Sequence, residues 1–202
     1  GIEGFAIVDD NFIVNKNKVA DICTSIEDLN LRWSALSRVD TVDRALLETM
    51  AASGCIEVKY GLESGSERIL KAMRKNTTQD KIRAAVEMTA GIQAKAFIIH
   101  GYPGEGTATT RETIALLREL RPKLGRVSLF RFVPLPGTEV YDKAEEFGIR
   151  GTHHQADWDG DWAKFHIHHN TRHWWGGETD WAETEAAYAE LRDFIEAEWG
   201  PQ

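Results

Sequence analysis

The chain has 202 residues, 42% of them hydrophobic and 28% charged, which suits one large domain or one and a half small ones around a real core. No apolar run approaches the ~18 residues of a bilayer span, and no basic, apolar, small-residue signal segment is present, so a cytoplasmic protein without a membrane partner is expected. The net charge of −8 is local: residues 1–150 carry 21 Lys/Arg against 21 Asp/Glu, whereas residues 151–202 carry 3 against 11.

Without a basic stripe, nucleic acid is a poor partner for this chain. Six of the seven histidines lie between 153 and 173 and six of the seven tryptophans beyond 150. The composition therefore predicts two regions, a neutral body over 1–150 and an acidic, His- and Trp-rich extension over 151–202. The two cysteines, Cys23 and Cys55, match no zinc or iron–sulfur spacing and form no disulfide scaffold. Both are expected as small buried side chains.

In chain order, residues 4–8 form a short apolar strand ending at Asp9 and Asp10. A helix follows over about 16–29, with Val19, Ile22, Ile26 and Leu29 on one stripe. Residues 32–36 are the next strand. Thr41 or Asp43 starts a helix that Gly54 closes in the left-handed region. Residues 56–60 form a strand running into Gly61-Leu-Glu-Ser-Gly-Ser66, followed by helices over 67–74 and 80–90, the second capped by Thr78. A strand over 94–99 ends at His100, and Thr109-Thr-Arg-Glu112 reads as a capping box for a helix to Leu120. The last strand, 126–133, reaches Pro134-Leu-Pro-Gly-Thr138 and a short helix to Phe147. Residues 151–177 lack clean periodicity. Asp180-Trp-Ala-Glu183 reads as a second capping box for a helix with Trp181, Tyr188, Leu191, Ile195 and Trp199 on one stripe, Thr184 as its polar position and acids opposite.

Five buried strands alternating with amphipathic helices require a parallel sheet with crossovers. Two architectures fit, a β/α barrel, whole or partial, and an open doubly wound sheet. Polar groups stand after every strand: Asp9 and Asp10, Arg38, Glu63 with Ser64 and Ser66, His100 with Tyr102, and Arg131. In a barrel these converge on one mouth, whereas an open sheet concentrates its contacts at one switch point, so the barrel is favoured. Five strands do not close one.

Several segments carry chemistry on either of two readings. The 61–66 loop could turn amides, hydroxyls and Glu63 toward a polar ligand at a helix start, or be a tight turn with Ser66 as N-cap and Glu63 solvated. It lacks the lysine of a P-loop and the spacing of a dinucleotide fingerprint. Gly101-Tyr-Pro-Gly-Glu-Gly106 reads chiefly as a structural turn. Asp9 and Asp10 suit a metal or an ammonium group. The run His166-Ile-His-His-Asn-Thr-Arg-His173 invites a metal reading, but no His-Glu-x-x-His pattern accompanies it, and packing across the barrel mouth fits it better.

Taken together, the segments Phe5–Phe12, Ser37–Val42, Gly54–Ser66, His100–Glu105 and Pro134–Glu139 resemble the radical S-adenosylmethionine superfamily. The nearest branch often carries an N-terminal cobalamin-binding domain. The resemblance covers roughly residues 1–148. It implies a partial (β/α)6 TIM-like barrel, incomplete here because the first strand and the cluster loop are missing, with a C-terminal helical extension. It further implies that Asp9 and Asp10 lie at the methionine amino group, that Arg38 faces the methionine carboxylate, and that Glu63 and Ser64 hold the ribose and amino-acid portion. His100, Tyr102 and Pro134 belong to the segments flanking the adenine. No catalytic residue and no metal ligand of this chain is assigned.

The implied cofactors are S-adenosylmethionine and a [4Fe–4S] cluster, with cobalamin admitted by the branch. The three cysteines spaced C-x3-C-x2-C that hold the cluster are absent from this chain. The expectation is thus a fragment, inactive alone, whose partners are a small-molecule substrate and a missing N-terminal part of the same protein. The implied chemistry begins with a 5′-deoxyadenosyl radical that abstracts hydrogen from an unactivated carbon, followed by methyl transfer or oxidative cyclisation. Two other classes remain open: a metal-dependent barrel hydrolase using Asp9, Asp10, His100 and the tail histidines, and a non-catalytic interaction module docking a basic partner on the 180–199 helix.

Overall fold

The structure, a computed structural model, describes residues 1–89, 91–149 and 181–201. Five parallel strands form one sheet: β1 (Gly4–Ala6), β2 (Arg32–Ser37), β3 (Cys55–Glu63), β4 (Gln93–His100) and β5 (Leu124–Arg131). Their spatial order is their sequence order, 1-2-3-4-5. An open doubly wound sheet reverses its order at the ligand crevice, and this sheet never does, so the architecture is that of a TIM-like barrel. The crossovers are α1 (Lys16–Ile26), α2 (Arg44–Ala52), the pair α3 (Glu67–Ala72) and α4 (Gln79–Met88), and α5 (Thr107–Leu120), followed by α6 (Glu139–Asp142) and α7 (Trp181–Trp199).

Local chemistry sets the boundaries. Asn15, Asp43 and Thr78 cap α1, α2 and α4 by accepting backbone N–H bonds from Lys18, Leu46 and Lys81, satisfying donors that a helix start leaves open. The capping box expected at Thr109 lies elsewhere: α5 begins three residues earlier than that cap implies, Gly106 is its N-cap, and the Thr109 hydroxyl accepts from the Gly106 N–H at 3.0 Å. Thr109 thus acts from the third helical position, because Gly106 already supplies the extended backbone that a cap requires.

Strand alternation then sorts the side chains. On β4, Ala94, Ala96, Ile98 and His100 are buried beneath the helices, while Lys95, Phe97 and Ile99 are half-buried on the inner face. On β3, Val58, Tyr60 and Leu62 face the helices, leaving Glu57, Lys59 and Gly61 inside. One core joins α1, α2, α4, α5 and the outer faces of β2, β3, β4 and β5. A small satellite cluster of Ala144 and Ile149, with Phe132, Val140 and Tyr141 packed against it, holds the segment after β5.

The C-terminal helix α7 is part of this core. Thr184, Ala187, Leu191 and Ile195 are buried at helical spacing, and Leu191 and Ile195 belong to the main cluster. Trp199 donates its indole N–H to the Leu124 carbonyl at 2.9 Å. Along its flank Glu190 pairs with Arg111 of α5 and Glu198 with Arg121, the residue just after α5. These acids are matched to the barrel, which removes them from the face expected to dock a basic partner. Asp180 and the run 153–173 lie outside the described residues. Truncating Leu191, 1% exposed, leaves a cavity between α7 and the sheet; Leu191→Ala should cost about 2–5 kcal/mol in a denaturant titration of the full chain.

Candidate active site

A cavity of about 830 Å³ opens at the carboxyl ends of the strands. Its polar wall comes from Asp10, Arg38, Lys59, Glu63, Arg74 and Lys75; its apolar wall includes Phe97, Ile99, Tyr102, Phe130 and Phe132. The volume lies in the upper part of the ~300–1,000 Å³ range of small-molecule sites. Of the residues singled out from sequence, the fold gathers Asp10, Arg38, Glu63, Tyr102 and Arg131 on this lining. Asp9, Ser64, His100 and Pro134 are not on it, although Val133 and Leu135 on either side of Pro134 are.

Glu63 owes its position to a break in the ladder. The β3–β4 register shifts between Gly61 and Glu63, and Glu63 has φ +65°, the left-handed region that a non-glycine residue adopts at a cost. Leu62 is the extra residue of this bulge and stays in the core, so Glu63 turns inward. Its carboxylate folds back over Gly61, where a Cβ would meet Oε1 at 2.6 Å. The carboxylate is 8% exposed and accepts a bond from Lys75 Nζ at 2.8 Å. The solvated-Glu63 reading therefore does not hold.

The rest of the loop is anchored outward. Gly65 N–H donates to Thr113 Oγ1 at 2.9 Å, the Ser64 hydroxyl accepts from Ser66 N–H at 3.1 Å and lies 3.4 Å from Thr113 Oγ1, and Gln79 Nε2 donates to the Gly65 carbonyl. Gly65 must be glycine, since a Cβ there would lie 2.4 Å from Thr113 Cα. Ser66 stands at the N-cap of α3, but its hydroxyl makes no cap bond.

Arg38 is fixed at the rim by Asp40, with Nε–Oδ1 and Nη2–Oδ2 both at 2.8 Å. This bidentate pairing raises the guanidinium pKa further and holds the Asp40 carboxyl below its usual range. Asp9 and Asp10 are exposed. His100 lies on the helix side of β4, fully buried, its Nε2 3.0 Å from Thr110 Oγ1 and its ring against Tyr188 of α7. It does not meet Asp9 and Asp10, so the hydrolase constellation is not assembled by the described residues. Tyr102 donates to the Ala72 carbonyl at 3.1 Å and stacks edge-on against Phe132.

Sequence reasoning missed five contributors. Lys75 neutralises Glu63 but follows a helix with no motif of its own. Arg74, also at positive φ, pairs with Glu139 across the rim. Phe97 and Phe130 are hidden in apolar runs, although a period of two would have separated them from Ile98 and Leu129. Glu105, read as part of a turn, is 3% exposed and accepts the Gly101 N–H through Oε2 at 2.6 Å. It staples a loop in which Gly101 and Gly104 adopt φ +96° and +86°.

The chain belongs to the radical SAM superfamily, whose pattern matches residues 1–117. It is 32% identical over 148 residues to an uncharacterized methyltransferase of Pyrococcus horikoshii, covering 71% of this chain and 32% of that protein. It is 26% identical over 153 residues to the anaerobic magnesium-protoporphyrin IX monomethyl ester cyclase of Rubrivivax gelatinosus, covering 71% and 27%. In fold it resembles the radical S-adenosylmethionine methyltransferase TsrM of Kitasatospora setae, solved with cobalamin and a [4Fe–4S] cluster, at TM-score 0.59 and 18% identity over 72% of this chain and 29% of that one. The chain thus spans about a third of the length of the proteins it matches.

The superfamily implies S-adenosylmethionine and a [4Fe–4S] cluster, and the residues fit the two differently. The cavity suits a nucleoside that carries a charged amino-acid arm, since it joins a buried carboxylate, an arginine and aromatic rings. The cluster does not fit. Cluster ligands are thiolates, yet Cys23 and Cys55 are both buried, and burial pushes the Cys55 thiol up to about 12 and that of Cys23 upward as well. Among the described residues no group of three His, Cys, Asp or Glu could hold a metal ion.

Burial raises the Glu105 carboxyl to about 7, against the pull of its two backbone hydrogen bonds. A carboxyl raised in the folded state binds its proton more tightly there, so its contribution is fully present below about pH 4.5 and is lost as pH rises through 7. Stability of the full chain should fall by about 3 kcal/mol across that window, and Glu105→Gln should flatten the slope in denaturant titrations at pH 5, 6, 7 and 8.

Proposed function

We propose that this chain is the barrel portion of a radical S-adenosylmethionine enzyme acting on a small molecule, with the cavity as its cosubstrate and substrate site. Neither Cys23 nor Cys55 is proposed as a ligand of the cluster. The observation that carries this reading is Glu63: a fold that tolerates a left-handed glutamate, a ladder bulge and a buried carboxylate over Gly61 is holding an acceptor for a purpose. A carboxylate with two oxygens suits a ribose diol, and Lys75 donates to Oε1, leaving the other oxygen for the ligand.

The other residues have separable tasks. Arg38, rigid on Asp40, receives the methionine carboxylate; Asp10 faces the ammonium group. Tyr102 and the 132–135 segment flank the adenine, with Pro134 stiffening that segment. Ser64 and His100 tie the walls to α5 and α7, and Asp9 adjoins the rim. When bound with its cluster, the cosubstrate supplies one-electron chemistry at an unactivated carbon. The chain's own part is to orient both ligands and exclude water with Phe97, Phe130 and Phe132. Methyl transfer, with cobalamin, is the favoured outcome and oxidative cyclisation the other, in line with the two relatives' names.

Calorimetric titration of the full chain with S-adenosylhomocysteine tests the site. Glu63→Ala should weaken binding by about 2 kcal/mol, roughly thirtyfold, and Arg38→Ala by a similar amount, as expected for bonds involving a charged group. Unchanged affinity in both would refute these roles.

A further inference from the structure

Below the aromatic wall, the inner face of the sheet breaks a rule of strand pairing. Lys59 on β3 pairs in register with Lys95 on β4, and Lys95 with Arg126 on β5. All three lie on the inward side by strand alternation, in one row across three adjacent strands. Like charges directly opposite each other destabilise a sheet. Among the described residues one acid answers the row, Glu57, and only at the long end of ion pairing, 3.7 Å from Lys59 Nζ and 4.0 Å from Arg126 Nη1. Lys95 leans on the Phe97 ring at 5.1 Å, and burial together with Arg126 and Lys59 pushes its ammonium pKa down. Glu63, the acid above the row, is already matched by Lys75.

The next inward positions toward the mouth are Gly61 on β3, Phe97 on β4 and Ser128 on β5, with Phe130 one step beyond. Phe97 and Phe130 lie with ring centroids 5.7 Å apart, flanked by Leu36 and Ile99. Lys59 itself lines the cavity, 18% exposed, its Nζ 3.0 Å from Ser34 Oγ. Of the row, Lys59 is the member that reaches the cavity, half-enclosed beside the aromatic pair, while Arg126 at the far end is 62% exposed; a cation so placed gives the deep end of the cavity a positive site that interacts with charge more strongly than in open water. Keeping such a row against its electrostatic cost is the kind of local conflict found at functional positions.

We propose that the deep end of the cavity takes a substrate with a flat apolar body ending in an anionic oxygen group, the body against Phe97 and Phe130 and the anion toward Lys59. This rests on the cavity being the active site and names the class of molecule that shares it with the cosubstrate.

The test is calorimetry on the full 202-residue chain with three probes of one shape: 2-naphthoate, 2-naphthyl phosphate and neutral 2-naphthamide. The anions should bind about tenfold or more tighter than the amide, and the tighter of the two identifies carboxylate or phosphate. Lys59→Met, which keeps the stem and removes the charge, should abolish that preference, leave amide binding unchanged, and melt at or above the parent temperature because the row is relieved. Equal affinity for amide and anions, no binding of any probe, or a Lys59→Met chain that melts lower and loses all three probes alike would overturn the proposal. S-adenosylhomocysteine titrated into the same samples separates the two levels. If it binds while the anion preference is absent, only this inference falls; if it fails while the Lys59-dependent preference persists, the cosubstrate reading falls.

Discussion

The alternation of side chains along parallel strands is the constraint on which the rest of the structure depends. Each strand has one face under the helices and one toward the barrel interior, and a one-residue change exchanges them. This parity decides which strand-end residues can serve a ligand. His100 and Arg131 are partners in register and meet α7 through Tyr188 and Glu185, His100 away from the cavity and Arg131 also bordering it. Phe97, Ile99 and Phe130 are inward and form the cavity wall. Polarity after a strand is therefore an insufficient guide, because the pleat can send a polar residue to the helix layer as readily as to the mouth.

Glu63 shares the inward parity of Glu57, Lys59 and Gly61, and the bulge at Leu62 sets where its carboxylate lies. Without the bulge it would alternate regularly after Gly61, and its carboxylate would not lie back over that glycine. The left-handed backbone, the missing side chain at Gly61 and the anchoring of Gly65 on Thr113 act as one device. They hold a carboxylate inside a barrel whose inner face is otherwise rich in cations. Lys75 balances it from the end of α3, and Asp40 does the reverse for Arg38. The cavity's charges thus come pre-paired at the rim, while the deep row of Lys59, Lys95 and Arg126 is matched by Glu57 alone among the described residues.

Much of the fold was legible because buried parallel strands read as apolar runs and their crossovers as capped amphipathic helices. Asp43, Thr78 and Gly54 stand where their chemistry predicts. The start of α5 was not legible, since a glycine N-cap gives no side-chain signal and Thr109 works equally well from the third turn position. The candidate site was half legible. Arg38 and Glu63 carry motif positions, but the dependence of Glu63 on a bulge and on Lys75, twelve residues away, is a tertiary fact. The acids of α7 read as an open face because their partners, Arg111 and Arg121, lie about 77–79 residues earlier in the chain. The cysteines were legible as buried, and their raised thiol pKa values agree with a structural rather than ligating role.

The central claim is that this cavity, organised by Glu63, receives the nucleoside of the cosubstrate. A crystal structure of the full chain with S-adenosylhomocysteine bound tests it most directly. The account predicts the ribose hydroxyls within hydrogen-bonding distance of the Glu63 carboxylate and the adenine beside Tyr102 and Phe132. A ligand bound away from the strand ends, or in the cavity with Glu63 still turned wholly to Lys75, would contradict it.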